Sequence, residues 1–144
     1  MILYSHRGNV DGPTNKENEP SYILSAVDDG FYVEIDIYYQ DEKYYLGHDE
    51  AQYEIDESFL ENPKFICHAK NPEAFLKMLK NNNIHSFWND LDLYAITSKD
   101  FLWTLDSHPL IVHEKIIYCN ANLKMLSNLH YQFEGYCSDY VGLL

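Results

Sequence analysis

The chain has 144 residues and a formal net charge of -13, and 46% of its residues are hydrophobic and 15% aromatic. This apolar content excludes a disordered chain, and the length predicts a single domain over residues 1–144. The negative charge excludes long nucleic acid and an anionic bilayer as general partners, because both would be repelled. No apolar run approaches the length of a membrane span or of a secretory core, so we expect a cytoplasmic protein that does not insert into membranes.

The first part of the chain predicts a strand, a loop, a helix and a second strand. Ile2–Ser5 is typical of a short buried strand, and the polar residues after it, which include Gly and Pro, predict a loop. Glu17–Asp29 predicts a helix with Pro20 in its first turn and Gly30 at its end. This order of elements is typical of a βαβ unit.

The second strand carries two acidic residues on one side. Apolar β-branched residues alternate there with Glu34, Asp36 and Tyr38, which is a strand pattern. Glu34 and Asp36 therefore point in the same direction. Because two carboxylates one strand period apart repel each other, either their face lies in solvent or a cation lies between them.

The rest of the chain predicts more short strands and two more helices. The third strand, Lys43–Leu46, leads into Gly47-His48-Asp49, and an acidic segment over Glu50–Glu61 follows. The later predicted elements are the strands Lys64–His68, His85–Trp88, Phe101–Leu105, Lys115–Cys119 and Tyr136–Ser138 and the helices Pro72–Asn82 and Asn122–Leu129. These add up to eight candidate strands.

Four short motifs stand near the ends of the first elements. They are His6-Arg7-Gly8 after the first strand, Glu17-Asn18 near the start of the first helix, Glu34-Ile35-Asp36 in the second strand and Gly47-His48-Asp49 after the third. In this order and spacing they resemble the glycerophosphodiester phosphodiesterases, a branch of the phospholipase-C-like phosphodiesterases. The detailed resemblance covers roughly the first seventy residues, and beyond them it rests on Lys70 and Gly135–Tyr140.

The resemblance implies a fold in which the carboxyl ends of parallel strands meet at one mouth. Eight strands in 144 residues leave about 18 residues for each strand and its connection, whereas an ordinary (βα)8 barrel uses about 250 residues. We therefore predict an α/β fold, a reduced or distorted TIM-type (βα)8 barrel with several helices missing. An apolar surface left uncovered by the missing helices would favour a homo-oligomer.

The resemblance also gives roles to residues that follow strands. It implies that His6 and His48 share acid and base catalysis, a task suited to imidazole groups. It implies that Arg7 binds the substrate phosphate through its planar guanidinium group and that Lys70 adds positive charge. A single histidine after a strand, taken alone, is more often a hydrogen-bonded loop residue.

The resemblance further implies a metal site. Glu34 and Asp36 would hold a divalent cation, Mg²⁺ or Ca²⁺, because these ions prefer oxygen ligands. The family usually places a third carboxylate, a glutamate, two residues before the lysine, and this chain has His68 there. An imidazole can still bind a metal, but it shifts the preference toward Mn²⁺ or Zn²⁺.

We therefore expect an enzyme that hydrolyses a small glycerol-like or sugar-like phosphodiester, through attack by a neighbouring hydroxyl and a cyclic phosphate. A lyase that stops at the cyclic phosphate and a non-catalytic phosphate- or glycan-binding module are alternatives. Chance occurrence of the motifs on an unrelated α/β fold is another.

Cys67, Cys119 and Cys137 form no closely spaced pair, so we expect them to be reduced, buried and inert.

Overall fold

The computed structural model describes residues 1–105, 113–119 and 133–144. The strands in these ranges are β1 (Ile2–His6), β2 (Tyr32–Gln40), β3 (Lys43–Leu46), β4 (Tyr53–Ile55), β5 (Phe65–Ala69), β6 (Ser86–Trp88), β7 (Tyr94–Ile96), β8 (Leu102–Thr104), β9 (Ile116–Cys119) and β10 (Gly135–Ser138). The α-helices in them are α1 (Pro20–Asp28), α2 (Glu57–Leu60) and α3 (Pro72–Met78), and a short 3-10 helix covers Val141–Leu143.

All ten of these strands belong to one curled, mixed sheet. Seven of them run parallel in the spatial order β6-β5-β2-β1-β10-β9-β8, and β7 pairs antiparallel with β8 at the edge. The far end of β2 pairs antiparallel with β3, and β3 pairs with β4. The two ends of the curled sheet approach each other where the Ser98 backbone N–H donates to the Ser86 carbonyl at 2.7 Å.

The predicted TIM-type (βα)8 barrel is wrong. The described strands form a mixed sheet, and among the connections that lie wholly within the described residues only those after β1 and β5 consist of a helix that leads to the next parallel strand. The connections from β6 to β7 and from β7 to β8 span only residues 89–93 and 97–101. A crossover between parallel strands needs about a dozen residues or more, so such short connections turn the chain antiparallel.

Several element boundaries also differ from the predictions. The predicted helix Glu17–Asp29 begins only at Pro20, and the predicted helix Pro72–Asn82 ends at Met78. The predicted third strand is part of an antiparallel hairpin that extends β2, and the acidic segment after it contains β4 and α2. The predicted helix Asn122–Leu129 lies outside the described residues.

The alternation along β2 separates two layers of the core. Val33, Ile35 and Ile37 are fully buried on the outer face, where they pack with Ile23 of α1 and Met78 of α3. Proline at the first helical position starts both helices without losing a backbone hydrogen bond. The helices therefore cover the outer side of β2, and the acidic residues of this strand face the concave side.

Aromatic and aliphatic side chains fill the concave side of the sheet. The rings of Phe87 on β6 and Trp103 on β8 stack with their centroids 4.7 Å apart, although five strands separate β6 from β8 along the sheet. Two rings so far apart along the sheet can meet only across the inside of the curl. Their cluster also contains the buried side chains of Tyr4, Ile66, Ile117 and Cys137.

Candidate metal centre

Polar residues replace this apolar filling at the carboxyl ends of four neighbouring parallel strands. Successive side chains on one strand face are two residues apart, and on these four strands the last apolar residue inside the curl is followed by a polar one on the same side. These inward-facing polar residues are His6, Glu34, Asp36, His68 and Asp139, and we call them the mouth. The fold therefore gathers groups that lie as much as 133 positions apart in the sequence.

Glu34 and Asp36 lie at the bottom of the mouth, where their side chains are 1% and 0% exposed. Within the described part of the chain, Glu34 Oε2 and Asp36 Oδ1 have no hydrogen-bond partner. An unsatisfied carboxylate oxygen in the protein interior is costly, and such groups are rare in folded proteins. These two oxygens are therefore available to a cation that enters the mouth.

His68 faces both carboxylates with one ring nitrogen. Its Nε2 lies 3.0 Å from the Asn89 carbonyl oxygen, which can only accept a hydrogen bond, so Nε2 carries a proton. Nδ1 then points toward Asp36 Oδ1 at 3.4 Å and Glu34 Oε1 at 3.6 Å. Burial lowers the pKa of His68, but Asp36 and Glu34 outweigh burial and raise this pKa to about 9. In the metal-free protein, the protonated ring thus supplies the positive charge that the carboxylates require.

Asp36 has cationic and amide partners on its other side. Arg7 Nε lies 2.9 Å and Lys70 Nζ 3.9 Å from oxygens of its carboxylate. The Asn18 side chain donates to Asp36 Oδ2 at 2.9 Å and accepts from the Asp36 backbone N–H at 3.0 Å. Burial raises the pKa of Asp36, but His68 and Arg7 outweigh burial and lower this pKa to about 2. Asp36 is therefore ionised at any pH at which the fold is expected to be stable.

His6 is held between two carboxylates. Its Nδ1 lies 2.8 Å from Asp139 Oδ1, and its Nε2 points toward Glu34 Oε2 at 3.7 Å. Burial lowers the pKa of His6, but the hydrogen bond to Asp139 and the charge of Glu34 raise it to about 9. This residue is therefore a proton donor at neutral pH in the metal-free protein.

Two residues in the loop after β1 extend this network. Asn9 is fully buried, and its Nδ2 donates to both Asp139 Oδ1 and Glu17 Oε1 at 2.8 Å. Glu17 in turn accepts from Arg7 Nη1 at 3.2 Å. One chain of hydrogen bonds through Asp139, Asn9 and Glu17 therefore holds both the His6 ring and the Arg7 guanidinium group in place.

His48 lies at the rim of the mouth and not inside it. Its side chain is 38% exposed, and its Nδ1 lies 2.7 Å from Asp49 Oδ1. The backbone N–H of Gly47 donates to the Asp36 carbonyl at 3.1 Å, which brings this loop close to Glu34 and Asp36. His48 also lines a polar pocket together with Glu17 and Asn18. None of the contacts found among the described residues joins His48 directly to His6.

The three predicted metal residues fit a divalent cation. Glu34, Asp36 and His68 each offer one ligand atom, and these atoms lie within 4.8 Å of one another. The two carboxylate oxygens that accept no hydrogen bond match the ligands that hard divalent cations prefer, and the hydrogen bond of His68 Nε2 to a carbonyl is typical of a metal-binding histidine. The structure therefore brings together six of the seven predicted site residues, which are His6, Arg7, Glu34, Asp36, His68 and Lys70.

Four residues that support these groups were not predicted as site residues, although two of them, Glu17 and Asp139, lie in segments that carry the resemblance. The four residues are Asn9, Glu17, Asn89 and Asp139. Asp139 could have been found, because it directly follows a predicted strand, as His6 does. Asn89 acts through its backbone carbonyl, which no side-chain pattern can reveal.

The chain has no match in comparisons with protein-family models, with curated proteins and with solved structures. The resemblance to the glycerophosphodiester phosphodiesterases therefore stays a prediction from four motifs. Among the described helices, none is long and apolar enough to cross a bilayer.

Proposed function

We propose that this protein is a divalent-cation-dependent phosphodiesterase that acts on a small glycerol-like or sugar-like phosphodiester in the cytoplasm. The observation that carries the proposal is the buried pair Glu34 and Asp36, each with a carboxylate oxygen that accepts no hydrogen bond, opposite the Nδ1 atom of His68. A cation bound there would supply positive charge to a phosphate oxygen of the substrate. The four motifs that resemble the phosphodiesterases support the same reaction independently of this geometry.

The residues around the carboxylates suit the binding of a phosphate. Arg7 and Lys70 stand beside Asp36, so their positive charges lie next to the cation site. The Arg7 guanidinium group is held by Asp36 and Glu17 and is therefore oriented before substrate binds. An anionic substrate can enter this strongly acidic chain because the two side chains and the cation make the mouth locally positive.

The two histidines supply the proton transfers in this proposal. Asp139 holds His6 Nδ1, which leaves Nε2 to give its proton to the leaving alcohol oxygen. Asp49 holds His48 Nδ1, which leaves Nε2 to take the proton from the attacking hydroxyl of the substrate. The first product is then a cyclic phosphate, and water opens it when the same groups act in reverse.

A second candidate function is a phosphate-binding module without turnover. Two observations favour it: His48 stands at the exposed rim, and the pKa of His6 near 9 makes this residue a cation at neutral pH. A cationic His6 beside Arg7 would bind an anion without any chemical step. The two candidates differ in whether a product forms.

Phosphorus NMR of the protein with glycerophosphodiesters tests both candidates. Reactions contain Mg²⁺, Ca²⁺ or Mn²⁺, and the cation is removed with a chelating resin before the spectra are recorded. The spectra then separate the diester, the cyclic phosphate and the monoester. We expect a cation-dependent product that disappears in His6→Ala and His48→Ala and persists in His113→Ala, a control at an exposed histidine before β9. Binding of phosphate without product supports the module, and equal turnover in His6→Ala contradicts the proposed chemistry.

A further inference from the structure

The three free cysteines lie in two different environments. Cys67 is buried in the outer layer with Val33 and Ile35, whereas Cys137 is buried in the cluster inside the curl and Cys119 packs against that cluster. The two cysteines inside the curl follow Ile117 and Gly135 at the two-residue spacing of one strand face. They therefore share the side of the sheet that carries the mouth.

Cys119 and Cys137 are direct register partners on the adjacent parallel strands β9 and β10. Adjacent strands lie about 4.8 Å apart. A disulfide requires a Cα separation of about 4.4–6.8 Å, so the backbone already holds this pair within the range of a bond. Cys67 has no such partner, because its neighbours in the ladder are Ile35 and Ser86.

The two thiols also differ in their chemical state. The Cys137 thiol and the positive charge of His6 lower the pKa of the half-buried Cys119, against the opposing effect of burial. Burial and the neighbouring Cys119 raise the pKa of Cys137. Cys119 is thus the sulfur that more readily becomes a thiolate, and Cys137 is the one that retains its proton.

We propose that Cys119 and Cys137 form an oxidative modification site, in which a hydroperoxide such as hydrogen peroxide converts the two thiols into a disulfide across β9 and β10. The Cys119 thiolate attacks one peroxide oxygen, the O–O bond breaks, and the departing hydroxide takes up a proton to leave as water. Cys137 sulfur then attacks the Cys119 sulfenic acid, the S–S bond forms and the S–O bond breaks. The Cys137 proton leaves with the second hydroxide as water, so two thiols are oxidised and one peroxide is reduced to two waters.

This site is independent of the proposed phosphodiesterase activity. Its chemistry needs neither the cation nor a phosphodiester, and its product is detected by mass. Oxidation would also remove the electrostatic interaction between Cys119 and the positive charge of His6.

Peptide mapping of the peroxide-treated protein tests the proposal without any variant. Trypsin cuts after Lys64, Lys70, Lys115 and Lys124, so each cysteine falls in a different peptide, over residues 65–70, 116–124 and 125–144. The protein is treated with a small excess of hydrogen peroxide, alkylated while denatured, and digested without reductant. We expect the peptides of Cys119 and Cys137 to be joined, with a loss of two hydrogen atoms that dithiothreitol reverses, while Cys67 is alkylated. A joined peptide that contains Cys67, or full alkylation of all three cysteines, overturns the proposal.

Single variants then test the order of the two steps. Cys137→Ser is expected to stop at a Cys119 sulfenic acid that reacts with dimedone, and Cys119→Ser is expected to leave Cys137 at least about tenfold less reactive than Cys119. Cys67→Ser is the matched control and should give the same cross-link as the natural chain. Equal oxidation of Cys137 in folded Cys119→Ser, verified by its circular dichroism, would contradict the roles given to the two sulfurs.

Discussion

His68 Nδ1 lies 3.4 Å from Asp36 Oδ1, while the opposite nitrogen of the same ring is held by the Asn89 carbonyl. A neutral ring in this orientation would direct a lone pair at two carboxylates, which is unfavourable. The ring must therefore either carry a second proton or share a cation with Glu34 and Asp36. A proton and a metal ion therefore compete for His68 Nδ1, and this competition makes the cation affinity of the site depend on pH.

Cation affinity is expected to rise with pH. The pKa of His68 is about 9 in the metal-free protein, and ligation needs the neutral ring, so each bound cation displaces one proton at neutral pH. Between about pH 6.5 and 9 the affinity for Mn²⁺ should therefore rise by up to tenfold per pH unit. Calorimetry in buffers of different ionisation enthalpy measures the displaced proton. A release of no protons at pH 7 would contradict this competition.

Replacement of His68 by a carboxylate should change which metal is preferred. His68→Glu supplies a third oxygen ligand and removes the nitrogen ligand, so we expect Mg²⁺ and Ca²⁺ to gain affinity relative to Mn²⁺ and Zn²⁺. Competition between Mn²⁺ and Mg²⁺, followed through the paramagnetic relaxation of water, measures the preference. His113→Glu is the control for an added charge outside the mouth, and it should leave the preference unchanged.

Glu34→Gln should destabilise the metal-free protein at neutral pH and abolish its stabilisation by cations. The Glu34 carboxylate is buried 3.7 and 3.6 Å from the protonated rings of His6 and His68, and its charge raises the pKa of both histidines. Because an amide leaves these two positive charges less well compensated, we expect a loss of about 1–3 kcal/mol in the free energy of unfolding without cation. Urea denaturation with and without Mn²⁺ measures both effects. A variant more stable than the natural chain, or one still stabilised by Mn²⁺, would contradict the role of Glu34.

Asp139→Asn should lower the pKa of His6 from about 9 toward or below its ordinary value of 6.5, because burial then acts with less opposition. Since the pKa of His6 is higher in the folded protein than in the unfolded chain, its pairing adds stability below pH 6.5 and loses this contribution as pH rises to about 9. In Asp139→Asn, the free energy of unfolding should therefore no longer fall for this reason between pH 6.5 and about 9. NMR titration of the His6 ring measures the pKa. The exposed His113 provides the internal control.

His85 should make the fold less stable in weak acid for a reason unrelated to the mouth. Its Nε2 lies 2.8 Å from Thr97 Oγ1, which already accepts from the backbone N–H groups of Lys99 and Phe101. The hydroxyl hydrogen is therefore donated to an unprotonated Nε2. Burial and the charge of Lys99 lower the pKa of His85 to about 4, so stability should fall between pH 6.5 and 4. Urea denaturation of His85→Gln at pH 6.5 and pH 4 should show a smaller decrease in the free energy of unfolding than the natural chain shows. An equal decrease would contradict this assignment.

The alternating pattern of β2 correctly predicted that Glu34 and Asp36 lie on one face of the strand, whereas the predicted fold class was wrong. Alternation fixes the side on which Glu34 and Asp36 lie, because a strand has a side-chain period of two whatever sheet it joins. The gathering of His6, His68 and Lys70 follows from parallel strands whose carboxyl ends coincide, and this part of the fold is present. The prediction for these residues therefore did not depend on a complete (βα)8 barrel.

The fold class was wrong because connection length decides strand direction. Tyr94–Ile96 is too short and too exposed to be predicted as a strand, with Tyr94 40% and Ile96 74% exposed, yet β7 turns the sheet antiparallel. Lys43–Leu46 pairs back on β2 because only Asp41 and Glu42 connect them, both with positive φ. This hairpin moves His48 out to the rim, away from the place expected for a barrel strand.

Anomalous diffraction from crystals grown or soaked with Mn²⁺ at pH 8 shows whether the mouth binds a metal. We predict a strong anomalous peak within about 2.5 Å of carboxylate oxygens of Glu34 and Asp36 and of His68 Nδ1, and its loss in crystals of Glu34→Gln. A Mn²⁺ ion bound elsewhere, with a protonated His68 still facing the carboxylates, would contradict the proposed metal site.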